Sequence, residues 1–228
     1  MIFVHDARIP QQAIISIKKF GVNLPFITQQ LTFDELSGHP DIFICQSDDV
    51  LIVAPNVPDS YIDFFEQKDI KYCFGYKNVG KEKVNSSAYN AVVTKKYVFH
   101  NKNITDKKIL ELNADKEYIH VNQAYTRCSL FPLPNNNFIT SDKGIAKTLE
   151  KMGLGYFLLS ADDIMLPGYR NGCAGGCFGY AENKIYMTGD IAHHSEGKAL
   201  KEFIENCGCE LIELYAGKLF DGGSLIII

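Results

Sequence analysis

One order of elements recurs along these 228 residues, and it constrains the fold more than any other feature of the chain: apolar strand, turn, second strand, helix, third strand. Its clearest copy is YTRCSLFPLPNNNFITSDKGIAKTLEKMGLGYFLL, residues 125–159. CSLFPL reads as a strand, and PNNN supplies turn residues that tolerate a left-handed backbone. FIT is the second strand. Ser141 or Asp142 caps the helix that follows, because a side-chain oxygen satisfies one of its free N–H groups. Ile145, Leu149 and Met152 share one helical face, Gly153 ends the helix, and GYFLL returns as a strand.

The same order appears in residues 41–74, 88–121 and 175–214, at intervals of roughly 40–50 residues, a spacing typical of repeat arrays and propellers. A fifth copy emerges when the two ends of the sequence are joined. GGSLIII is then its first strand, MIFVHD its second, PQQAIISIKKFG its helix and VNLPFI its third strand. Pro10 suits the first turn of that helix. The reading expects one domain over residues 1–228: a five-bladed α/β-propeller of ββαβ pseudo-repeats, closed by pairing of the N- and C-terminal strands. Closure removes open sheet edges, which otherwise invite aggregation. An α/β sandwich with an ordinary C-terminal core strand is the competing architecture.

An apolar fraction of 46% and a charged fraction of 22% are ordinary for a globular chain. A net charge of −4 and a pI near 5.9 argue against nucleic acid as a partner. No apolar run reaches the ~18 residues of a membrane span, so no membrane partner is expected. The N-terminus carries no charged n-region with a cleavage site, and the seven cysteines read as reduced thiols; both point to the cytoplasm.

Five such units with a Gly-Gly strand near the C-terminus resemble the pentein fold, the propeller of the guanidino-group-modifying enzymes, and a bacterial group assigned to it. The resemblance covers the whole chain and implies a site in a central channel, where a small guanidino- or amino-acid-like molecule would be a substrate. Catalytic members of that family carry a stretch like Gly-Gly-Gly-x-His-Cys in the last blade, whose cysteine attacks the guanidinium carbon. The matching text here is Gly222, Gly223, Ser224, Leu225, Ile226, so the family's nucleophile is not carried over and citrulline from arginine is not expected. The superfamily also includes a ribosome-binding translation factor without that chemistry. A non-catalytic member that binds a ligand or a macromolecular partner is therefore the alternative, and fold alone does not decide. A cysteine-dependent hydrolase on an unrelated sandwich is a third reading.

In such a ring the starts of the first strands face the channel. They are His39 to Asp41, Ser87 to Asn90, Tyr125 to Cys128, Asn171 to Cys177 and Asp221 to Ser224. Cys128 and Cys177 read as corresponding positions just inside first strands and are the candidate nucleophiles, for a C–N hydrolase or transferase. A nearby imidazole activates a thiol, and His39, oriented by Asp41, is the candidate. The competing reading makes the cysteines small buried hydrophobes. Arg127 and Arg170 are candidates for holding a carboxylate, and Asp41 and Asp221 for a cationic head, against local ion pairing as the plainer role. Asn90, Tyr125, Asn171, Gly175 and Gly176 complete the candidate ligand-binding set. Arg8 reads as solvated surface, and so do His193 and His194. No metal site is expected, since neither Cys173 with Cys177 nor Cys207 with Cys209 has paired zinc spacing. No phosphate loop or dinucleotide fingerprint is present, so no cofactor is expected. The sequence leaves the oligomeric state open.

Overall fold

The computed structural model describes residues 1–228. Five three-stranded sheets and one two-stranded ribbon carry the chain, and no sheet closes on itself. Each three-stranded sheet has the order read from the sequence: a first strand antiparallel to a second, which is parallel to a third across a helix. By its contacts the chain divides into a larger unit, residues 1–27, 38–40 and 127–228, and a smaller one, residues 28–37 and 41–126.

In the larger unit β1 (Ile2–Asp6) is the central strand of its sheet. It runs parallel to β2 (Val22–Phe26), reached over the helix Gln11–Ile17, and antiparallel to the last strand of the chain, Ile226–Ile227. Phe3 faces Ile227 and Val4 faces Ile226, and Ile2 and Ile228 exchange backbone hydrogen bonds of 2.7 and 3.0 Å. The first and last strands therefore pair, as the repeat split between them expected. Phe3, Ile9, Ile17, Tyr186, Leu225 and Ile227 form one packed cluster around this sheet, each burial contributing about 1.5–3 kcal/mol.

In the smaller unit β3 (Ile44–Ser47), β4 (Val50–Val53) and β5 (Tyr72–Phe74) form one sheet around the helix Asp59–Gln67. A second holds β6 (Val92–Val93), β7 (Tyr97–His100) and β8 (Glu117–His120) with the helix Lys107–Leu112.

The larger unit continues with β9 (Leu130–Leu133), β10 (Asn137–Thr140) and β11 (Gly155–Leu158). Asn135 and Asn136 turn the hairpin at φ of 58° and 56°, the left-handed region that the PNNN stretch promised. Asp142 is the cap of the helix Lys143–Lys151, accepting from the N–H groups of Gly144 and Ile145 at 2.7 and 2.9 Å, and Gly153 ends it at φ 67°. A short strand, β12 (Ile164–Met165), follows. Then come β13 (Phe178–Ala181), β14 (Lys184–Met187), the helix Gly197–Asn206 and β15 (Glu210–Glu213). β16 (Leu219–Phe220) pairs parallel with β12, a ribbon outside the repeat, and β17 is the Ile226–Ile227 strand already described. No helix is long and apolar enough to cross a membrane.

The ends of the first strands depart from expectation. Short helical turns, Pro40–Phe43, Lys83–Ser86, Thr126–Ser129 and Ala174–Cys177, precede β3, β6, β9 and β13. Runs of four residues carry no readable periodicity, so Pro40–Phe43, Thr126–Ser129 and Ala174–Cys177 overlap the stretches read as strand starts, while Lys83–Ser86 lies just before the start read at Ser87.

Candidate functional site

The larger unit gathers a buried polar centre where β1 ends. Asp6, its last residue, is 1% exposed, and so is His39. Nε2 of His39 lies 3.9 Å from Oδ2 of Asp6. Neither ring nitrogen of His39 has a hydrogen-bond partner, a costly condition for a buried imidazole and one that singles it out. Sγ of Cys128 and a ring nitrogen of His39 are within 4.8 Å of each other, and Cys128 is 4% exposed.

Glycines make this close packing possible. A β-carbon on Gly38 would fall 2.2 Å from Oδ1 of Asp6, and one on Gly223 would fall 2.2 Å from the Cβ of His39. Gly223 also sits at φ 65°, the left-handed region where glycine carries no steric cost. The Gly-Gly corner before β17 therefore serves to seat His39. Asp221 fixes that corner and the one before β13: Oδ2 accepts from the Cys173 N–H at 2.8 Å, and Oδ1 accepts from the Gly223 N–H at 3.1 Å. Gly176 packs directly against its carboxylate.

Arg127 clamps the same corner. Its Nη1 donates to the Gly175 carbonyl at 2.8 Å, and its guanidinium lies 5.1 Å over the Phe131 ring. These contacts are with carbonyls and a ring, so the arginine braces the turn that carries Gly175 and Gly176. Arg170 is exposed and lines a cleft of about 320 Å³ with Asp162, Tyr169 and Lys218. Asn171 donates to Asp162 at 3.3 Å, on the same exposed loop.

Cys128 and Cys177 do not correspond as the sequence suggested. The Ser129 carbonyl accepts from the Ser141 N–H, and the Cys177 carbonyl accepts from the Thr188 N–H, at the same step beyond each hairpin. Ser129 is thus the counterpart of Cys177, and Cys128 lies one residue earlier. Both cysteines sit in the helical turns rather than inside strands. Burial first, then Asp221 and Cys173, push the Cys177 thiol well above its ordinary value, the opposite direction from an activated nucleophile.

The remaining candidates belong to the smaller unit. Asp41 is buried in the turn Pro40–Phe43, and its carbonyl accepts from Asn90 Nδ2 at 3.1 Å. Asn90 is fully buried, and the Tyr125 hydroxyl shares a 2.7 Å hydrogen bond with Ser86 Oγ.

Two surface readings are corrected. Arg8 is paired with the buried Asp6 carboxylate at 2.6 Å. His194 is 6% exposed and lies 3.0 Å from the Ser160 carbonyl, while His193 is exposed beside Asp190 at 2.7 Å. Asp6 is the residue the sequence reading missed. Its signal was available in MIFVHDAR, a single carboxylate ending an apolar strand and followed two residues on by one of only three arginines.

A protein family described as "Family of unknown function (DUF6873)" matches residues 4–226. No curated protein matches the sequence. Among solved structures, a mutant of DDAH from Pseudomonas aeruginosa complexed with citrulline aligns over 93% of this chain and 91% of its own, at 8% identity and a TM-score of 0.54. The N-terminal domain of ArgZ, an arginine dihydrolase of Cyanobacteria bound to substrate, aligns over 89% of this chain and 77% of its own, at 10% identity and a TM-score of 0.53. Inosamine-phosphate amidinotransferase from Streptomyces griseus aligns over 89% and 72%, at 11% identity and a TM-score of 0.52. At such identities the likeness is one of fold, and that α/β fold is the pentein fold of guanidino-group-modifying enzymes.

Proposed function

The chain belongs to the DUF6873 family, and from that premise we propose that it is a pentein whose reactive centre has moved from the C-terminal strand to His39 and Cys128. Its five sheets are the blades of one ring, closed where β17 pairs with β1, and the protein works in the cytoplasm. The substrate is a small guanidino- or amino-acid-like molecule. Cys128 supplies the nucleophile, and His39 takes the thiol proton and returns it to the leaving amine. One observation carries this reading: His39 is buried with both ring nitrogens unpartnered, beside a carboxylate and within 4.8 Å of a thiol. Buried imidazoles that only support a core are ordinarily hydrogen-bonded, as His100 is.

A second reading, a non-catalytic binding protein, is favoured by one feature of the C-terminal strand. Leu225 and Ile226 stand where the resemblance would put histidine and cysteine, each is 2% exposed, and both serve as core.

Alkylation with a small thiol reagent across pH, followed by peptide mapping, separates the two. The relocated centre expects Cys128 to react fastest below neutral pH, ahead of Cys177, and His39→Ala to abolish that lead. Citrulline formed from arginine and lost in Cys128→Ser would establish the same point by product. Seven cysteines that stay inert until the protein unfolds would remove the nucleophile and leave the binding protein.

A further inference from the structure

The buried carboxylate beside His39 already holds a guanidinium. Oδ1 of Asp6 accepts from the Arg8 backbone N–H at 2.7 Å and from its Nε at 2.9 Å, and Oδ2 accepts from its Nη2 at 2.6 Å. Two parallel bonds from a planar fork to both oxygens are the arrangement by which a carboxylate recognises any guanidinium, and an ammonium cannot reproduce it.

The two partners differ in their setting. The Asp6 side chain is 1% exposed and walled by glycine, with Gly38 against its oxygens and Gly222 near its Cβ. The Arg8 side chain is 35% exposed and enters from the solvent side. The carboxylate is fixed, while the arginine is attached where rotation of its own side chain carries it outward. The same Oδ2 that receives Nη2 is the atom 3.9 Å from His39. A guanidinium on Asp6 is therefore next to the imidazole whose nitrogens have no partner.

We infer that Asp6 is the guanidinium anchor of this centre and that Arg8 is a built-in plug, occupying the place of a ligand's guanidinium until one displaces it. The inference rests on the reading of His39 and Cys128 as the centre, and it adds to that reading the role of Asp6 and a competition by Arg8 that regulates access. An intramolecular guanidinium acts at an effective concentration in the millimolar range or above. The plugged state thus lowers the apparent affinity for free guanidines by the fraction of time the anchor is open.

The test is titration calorimetry on wild type, Arg8→Ala and Arg8→Lys with methylguanidine and L-arginine, against methylammonium and L-lysine as ammonium controls. Removing the plug should tighten both guanidines at least tenfold, leave the ammonium controls weak, and lose all binding when Asp6→Asn is added. Arg8→Lys keeps a cation over Asp6 and with it the fold, and should show the same gain at smaller size. If Arg8→Ala folds only with help, methylguanidine should restore its circular dichroism and methylammonium should not. Equal affinity in wild type and both variants, or equal gains for guanidines and ammonium ions, overturns the plug. The alkylation rate of Cys128 in the same variants is read separately. Guanidine binding with an inert Cys128 keeps the anchor and removes the nucleophile, whereas a reactive Cys128 without guanidine binding does the reverse.

Discussion

Two histidines of this protein are equally hidden from water and live in opposite conditions. His100, at the end of β7 in the smaller unit, is fully buried; its Nδ1 lies 2.8 Å from Thr105 Oγ1 and its Nε2 3.0 Å from the Ala124 carbonyl. Thr105 is held in turn by the Tyr118 hydroxyl at 2.7 Å. Burial lowers the His100 pKa to about 4, so it is a neutral cross-link of its unit. His39 in the larger unit has no such bonds, and it faces a carboxylate and a thiol. Burial by itself is therefore no sign of function; the sign is a buried polar group whose bonding the fold leaves incomplete.

The comparison can be tested hardest through the frame around His39. Deleting Ile226 to Ile228 removes the ladder to β1 and the burial of Ile226 and Ile227, about 3–6 kcal/mol together. It also frees the Gly223 corner that packs on His39. Hydrogen exchange should then rise around Asp6 and His39 well before it rises around His100. An unchanged melting temperature would break the pairing of the chain ends as a stabilising element.

Next in size is truncation of each imidazole in turn. His100→Ala opens a cavity and orphans the Ala124 carbonyl, and should cost about 3–4 kcal/mol. His39→Ala opens a cavity too, but it breaks no hydrogen bond and removes two unpaired buried nitrogens, so it should cost less, about 1–2 kcal/mol. Denaturant titration of the two variants decides; equal losses would mean that His39 is as structural as His100.

The smallest effect is one of pH. The unfolded chain binds a proton at His100 near 6.5, and the folded chain only near 4. Between those values the unfolded state holds more protons, so stability falls as pH falls. The contribution is whole above 6.5 and gone below 4, a swing of roughly 3 kcal/mol. Stability measured across that window should decline more steeply in wild type than in His100→Gln. Parallel curves would show that His100 is not held neutral.

The sequence by itself determined the order of elements. Alternating and helical apolar spacing, the Asn135–Asn136 turn, the Asp142 cap and Gly153 are local signals, and a residue's neighbours suffice to read them. The same signals exposed the unit split between the two chain ends. Tertiary structure decided the rest. It made four helical turns out of residues too few to show a period, and it set Cys128 one step away from the counterpart of Cys177. It placed Arg127 on carbonyls, Arg170 on an exposed loop and Arg8 on a buried carboxylate. It also brought Asp6, His39 and Cys128 together from three distant stretches of chain. Such a meeting depends on how sheets pack and on where glycine leaves room, and no periodicity along the chain encodes either.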